Sequence, residues 1–239
     1  MIWVYGICER PDMPPPRRRG LAQAPLDGIR EGDLLAVVSR HSRPPGDPAL
    51  DALWVHERVV ERIMLDRTVL PMRFGTKLPD DEALRNVLAT RQQELLATLA
   101  RVRGRVEVGV RAMQPVGGDP ASNNSRPVAS VPIAATGREY LEAKLRDGRR
   151  VEREAAALHE PLASLAVAVS RQPGRAPDEL LRASYLIEAP VLARFRATVE
   201  RLQRTYPGAA ILCTGPWPPY SFVANAAAPM VEPAAGGAA

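Results

Sequence analysis

Aromatic side chains are scarce here, with three Trp, five Tyr and three Phe in 239 residues. Histidine occurs three times, cysteine twice, and lysine twice against thirty Arg. Each shortage removes a class of chemistry. Cys8 and Cys213 end separate strand-like runs and lie too far apart in sequence to form a metal-type pair, so both are expected as buried apolar residues of a reducing compartment. Among His41, His56 and His159 none has a partner at metal-ligand spacing. The stretch "HERVVE" begins like a zinc-protease helix, but four positions beyond His56 stands Val60, and His56 is expected as a half-exposed helix residue. No G-x-S-x-G elbow exists, and the glycines of "VGGD" at 116–119 fit neither a Walker loop nor a dinucleotide fingerprint. The sequence therefore predicts no catalytic residues, no metal and no cofactor.

Charge is missing from one long interval, since no ionisable Asp, Glu, Lys or Arg occurs from Thr205 to Val231. That length could cross a bilayer, but Pro207, Pro216, Pro218, Pro219 and Pro229 interrupt it, and proline breaks the helix a crossing requires. The opening "MIWVYGICER" is too short for a secretory signal and lacks its basic region and cleavage site, which points to the cytosol. The formal charge of +5 comes from Arg interleaved with acids along each helical stretch. Solvated faces of mixed sign explain it better than a nucleic-acid footprint. One dense basic cluster stands out, "PRRRG" at 16–20.

What is present organises into two domains. "IWVYGI" reads as a strand, and "GIREGDLLAVVSR" as a hairpin turning at Glu-Gly-Asp. In "DPALDALWVHERVVERIMLD", Leu50, Leu53, Trp54, Val60, Ile63 and Met64 are expected along one helical stripe, capped by Asp47 and Pro48. "TVLPMRFGT" resumes strand character, and Pro71, which cannot donate to a ladder, favours an edge or irregular strand. One helix is expected from Asp80 to Arg103, stopped by Gly104, and then the strand "RVEVGVRAM". After a Gly/Pro/Ser/Asn-rich stretch, "REYLEAKLRDGRRVEREAAALHEPLASLAVAVSR" at 138–171 reads as a long helix, with Leu141, Leu145, Val151, Ala155, Leu158, Leu162 and Leu165 near heptad spacing, weakened by Gly148 and Pro161 and open to a break near Pro161. A strand "LLRASYLIEA", a helix opened by Pro190 and a strand "AAILCT" follow. The fold class is α+β, with two domains, each a small mixed sheet covered by helices in ferredoxin-like style, and a long helix in the second. The predicted boundaries are an N-terminal domain at 1–113, a linker or loop at 114–136, a C-terminal domain at 137–223 and a disordered tail at 224–239.

Two stretches are not used up by element building. In "TVLPMRFGT", Val69, Pro71 and Arg73 should face one side and Leu70, Met72 and Phe74 the other. Arg73 either pairs with a helix carboxylate such as Glu57 or Glu61, or meets a partner. In "GPWPPYSFV", Trp217, Tyr220 and Phe222 stand among prolines that bar a central strand. They either line an edge for a partner or cap the second domain's core.

These stretches carry a resemblance. "VYGI", "LLAVVS", "VHERVVE" leading into "TVLPMRFGT", "VEVGVRAM", "GREYLEAKL" and "TGPWPPYSFV" occur in the order of the gas vesicle GvpF/GvpL family, over Ile2 to about Val223. The pair "LPMRFGT" and "GPWPPYSF" is its specific part. The resemblance implies a non-enzymatic accessory or minor protein of gas vesicle formation, located in the cytoplasm and at the vesicle. Its implied partners are the apolar shell protein GvpA and other gas vesicle accessory proteins, without nucleic acid or membrane. Trp217, Tyr220, Phe222, Arg73 and Phe74 are the expected contact residues. The alternative, a nucleic-acid-binding α/β module, lacks the RNP-type aromatic pattern.

Overall fold

The computed structural model describes residues 1–9, 12, 14–16, 19–42, 50–114, 137–176 and 178–223, with backbone alone at 137–144, 146 and 147. The expected Asp47 cap, nearly all of the expected linker and the expected tail lie outside the described residues. The chain divides into two compact units, Met1–Glu107 with Pro216–Ala239, and Val108–Gly215. The α+β class stands, built from two small antiparallel sheets and helices.

The first unit grows around β1 (Ile2–Glu9), whose run of apolar side chains is buried from Ile2 to Cys8. It pairs antiparallel with β3 (Leu34–Arg40) on one side and with β4 (Val69–Pro71) and β5 (Lys77–Leu78) on the other, while β2 (Leu26–Glu31) flanks β3. The β2–β3 hairpin turns where expected, and Gly32 takes a φ of +52° there that a side chain would resist. Pro71 lies in an outer strand, where its missing donor costs no ladder bond. Trp3, Tyr5, Cys8, Leu21, Val37, Val59, Val60, Ile63 and Val69 form the core cluster. Each such side chain contributes roughly 1.5–3 kcal/mol by leaving water.

Helix α1 (Leu50–Asp66) buries His56, Val59, Val60 and Ile63. That corrects the predicted stripe, because Leu50, Leu53 and Trp54 are exposed, at 75, 38 and 59%. His56 is likewise not half-exposed but fully buried. Burial is tolerated because both ring nitrogens are used: Trp3 Nε1 donates to Nδ1 at 3.2 Å, and Nε2 lies 2.8 Å from the Met72 carbonyl. The ring also stacks on Tyr5 at 5.1 Å. With Nδ1 accepting, the proton sits on Nε2 and the imidazole is neutral, which matches a pKa pushed down to about 4 by burial, against a weaker upward pull from the Met72 carbonyl.

The single helix expected after Asp80 is two. Asp80 caps α2 (Asp81–Thr90), its carboxylate accepting the Ala83 N–H at 2.9 Å. At Arg91 the backbone leaves helical geometry (φ −109°, ψ 13°), and α3 (Gln92–Val102) begins. Leu84, Leu88, Leu95 and Leu99 remain buried across the break.

Strand β6 (Arg105–Met113) carries the chain across the unit boundary. In the second unit α4 (Gly137–Ala163) packs on β8 (Glu179–Glu188) and on α5 (Leu192–Thr205). Pro161 sits inside its last turn and does not end it, since only a terminal hydrogen bond is lost there. Among the helix's described side chains Ala155, Leu158 and Leu162 are buried, whereas Leu145 is 61% exposed. The end of the stretch expected as helix is instead a strand, β7 (Ala168–Arg171), which pairs antiparallel with β8. Its alternating "AVSR" is strand-like, but it is only four residues long. With β9 (Ala210–Trp217) the sheet order is β7-β8-β6-β9, so β9 is an edge, where Pro216 is tolerated. Tyr185 and Phe195 pack at 5.3 Å, and the Tyr185 hydroxyl is hydrogen-bonded to His159 Nδ1 at 2.8 Å.

Candidate partner-docking site

The expected contact residues all fall in the first unit. Trp217 ends β9 and is 38% exposed, the large aromatic at the surface of this stretch. Pro218 and Pro219 behind it are buried, and Tyr220–Phe222 form a 3-10 turn closed by Phe222 N–H on the Pro219 carbonyl at 3.1 Å. A set of hydrogen bonds fixes this turn as a strap. The Tyr220 hydroxyl donates to the Glu57 carboxylate of α1 at 3.1 and 3.2 Å. Ser221 donates its backbone N–H and its hydroxyl to Glu107, which is 7% exposed, at 2.8 and 2.6 Å. Arg101 Nη2 donates to the Phe222 carbonyl at 2.9 Å.

Electrostatics follow this arrangement. Burial raises the Glu57 carboxyl, the Tyr220 hydroxyl pulls it back down, and Glu61 adds a smaller upward push. Tyr220 is itself driven up by burial first and then by the Glu57 charge, so it remains a neutral phenol and a donor.

The structure sorts four of the five residues into two groups, with Phe222 apart. Phe74 and Tyr220 are half-buried and pack against the first unit's core cluster, Phe74 with its ring 5.2 Å from Trp3 and edge-on to His56 at 5.7 Å. Tyr220 thus caps the first unit's core rather than that of the second domain expected at 137–223. Trp217 and Arg73 face outward. Arg73 joins neither Glu57 nor Glu61, and its side chain has no ion pair among the described residues. Its carbonyl closes the turn at Gly75 (φ +95°), accepting from Thr76 N at 3.1 Å and Thr76 Oγ1 at 2.7 Å. Phe222 is half-buried and held through its backbone.

Sequence reasoning misses Glu57, Arg101, Glu107 and Ser221 as parts of this strap. No local signal marks Glu107, because in the alternating "RVEVGVRAM" it falls on the face opposite Val106, Val108 and Val110, where a charged residue is ordinary. Perturbed groups elsewhere are locked into structural bonds or apolar burial. Cys8 is pushed up to about 12 by burial, which keeps its thiol protonated and inert. Cys213 is half-buried. No metal-binding cluster occurs among the described residues, and none of their helices is long and apolar enough to cross a membrane.

The family model for gas vesicle synthesis protein GvpL/GvpF matches residues 1–224. This chain belongs to the GvpL/GvpF family. It is 32% identical to gas vesicle protein F of a Streptomyces species, over 92% of this chain and 98% of that protein. It is also 28% identical to gas vesicle protein L of the same Streptomyces strain, over 92% of this chain and 91% of that protein. In fold it matches the crystal structure of GvpF from an Anabaena species with a TM-score of 0.75 at 22% identity, covering 92% of this chain and 94% of that one. GvpL/GvpF membership ties the chain to gas vesicle formation.

Proposed function

We propose that this chain assists gas vesicle assembly in the cytoplasm by binding the apolar shell protein GvpA, and with it other accessory proteins, without catalysing a reaction. The observation that carries the reading is the exposed Trp217 on a strap pinned by Glu57, Glu107 and Arg101. A shell subunit awaiting assembly exposes apolar surface that would aggregate, and a preorganised aromatic anchor covers such surface at low entropic cost. Arg73 supplies a charged rim, and Phe74, Tyr220 and Phe222 set the position of both outward groups.

Capture of GvpA by the purified full chain tests this. Trp217→Ala should weaken capture by about 2 kcal/mol, roughly 30-fold. Tyr220→Phe keeps the ring and should weaken it far less. Undiminished capture by a folded Trp217→Ala chain overturns the site. Failure of the unaltered chain to capture GvpA at all overturns the function.

A further inference from the structure

On the flank of α1 turned away from Glu57, Val55, Arg58 and Val59 line a cavity of about 140 Å³ whose other wall is Arg19, Gly20 and Gln23. An apolar cavity of roughly 150 Å³ accommodates a benzene-sized group, so this one fits an aliphatic side chain. Its floor is apolar and its rim is cationic: Arg19 and Arg58 are exposed, and neither guanidinium makes an ion pair among the described residues. Arg19 donates to the Gln23 carbonyl at 2.9 Å and Arg58 Nε to the Trp54 carbonyl at 3.3 Å, which orients both heads.

The wall is built rather than incidental. Leu21 is buried and its N–H donates to the Tyr5 hydroxyl at 2.8 Å, while Gly20 N–H meets the Ala24 carbonyl at 2.7 Å. Ala22 and Gln23 both hold positive φ, 48° and 58°, a conformation uncommon for residues with a Cβ and maintained here by those bonds. A Cβ on Gly20 would collide with the Tyr5 hydroxyl, so only glycine lets the loop seat this close. Beside the rim, Trp54 leaves 59% of its surface in water.

We propose that this pocket docks an acidic amphipathic segment of a partner protein, an aliphatic side chain entering over Val55 and Val59 while a carboxylate pairs with Arg19 and Arg58. Charge complementarity selects an acidic partner. The apolar floor selects a peptide over a phosphate group, which would leave the cavity unfilled. The site is separate from Trp217 and stands whether or not that residue touches the shell subunit.

The test is an NMR titration of the isotopically labelled full chain with a capped peptide carrying two leucines between glutamates. The amides of Gly20, Val55 and Val59 should shift saturably. Glutamine in place of the glutamates should weaken binding about tenfold, and Arg58→Gln about two- to fivefold, the range of an exposed ion pair. Three outcomes overturn the proposal: no shift at those amides, equal binding of the glutamine peptide, or shifts produced by anionic phospholipid vesicles or inorganic phosphate and not by the peptide. Because Arg19 and Arg58 are exposed, Arg19→Gln/Arg58→Gln leaves the fold intact, and an unchanged affinity in that variant also overturns it.

Discussion

Ser221 gives both its backbone N–H and its hydroxyl to the Glu107 carboxylate, at 2.8 and 2.6 Å, across 114 residues of sequence. A nearly buried carboxylate is thereby satisfied by a turn from the far end of the family-matched region. Ser221→Ala should lower stability by about 1.5–3 kcal/mol, the usual range for a hydrogen bond to a charged group. In thermal unfolding that is a shift of about 3–12 °C for a chain of this size. An unchanged melting temperature would mean that Glu107 is adequately hydrated without the strap.

The buried His56 gives a pH dependence with a definite sign. Its pKa falls from the ordinary 6.5 to about 4, so the unfolded chain takes up a proton across that window while the folded one does not. Stability is therefore unpenalised above pH 6.5, declines by about 3 kcal/mol as pH falls toward 4, and levels off below. His41 and His159 are lowered too and act in the same direction, whereas the raised Glu57 opposes them. Urea unfolding of the unaltered chain and of His56→Phe should differ in slope only within that window; parallel slopes would refute the neutral, doubly bonded ring.

Tyr220→Phe removes the donor that stabilises the Glu57 carboxylate. With burial and Glu61 left unopposed, the Glu57 pKa should rise further. Carboxyl-carbon NMR of the side chain reads this directly, and a fall or no change would show that the hydroxyl is not bonded in solution.

Two glycines should respond oppositely to alanine. Gly20→Ala drives a methyl into the Tyr5 ring and should cost about 1–3 kcal/mol or more as overpacking. Gly148 lies exposed inside α4 with open space at its Cβ, so Gly148→Ala should add about 1 kcal/mol through helix propensity. A melting temperature of Gly20→Ala at or above that of the unaltered chain would contradict the close packing of the Gly20 loop, and a fall in Gly148→Ala would contradict the open space beside α4.

Much of this fold is legible from periodicity and turn chemistry. The hairpin at Gly32, the Asp80 cap and the edge position of Pro71 each follow from a local rule. The errors share a cause, which is that tertiary partners redirect side chains. Helix α1 has apolar residues on two faces, and the stripe through Leu50 and Trp54 is the more apolar one as long as His56 counts as polar. Trp3 and Met72, distant in sequence, make that histidine a core residue and turn the helix. The break at Arg91 carries no Pro or Gly, and leucines continue through it at spacings a single helix would also show. At the candidate site the aromatics are legible as residues without an obvious role. Their division into outward Trp217 and anchored Tyr220 is not, because it depends on Glu57 and Glu107, carboxylates that look like ordinary surface charge.

The chain leaves the first unit within β6 and re-enters it at the end of β9. A genetic crossover in the segment after Met113 would therefore not exchange whole modules. It would pair one parent's Glu57, Arg101 and Glu107 with the other parent's Tyr220, Ser221 and Phe222, so the hybrids that survive should be those whose parents agree at both ends of that clasp.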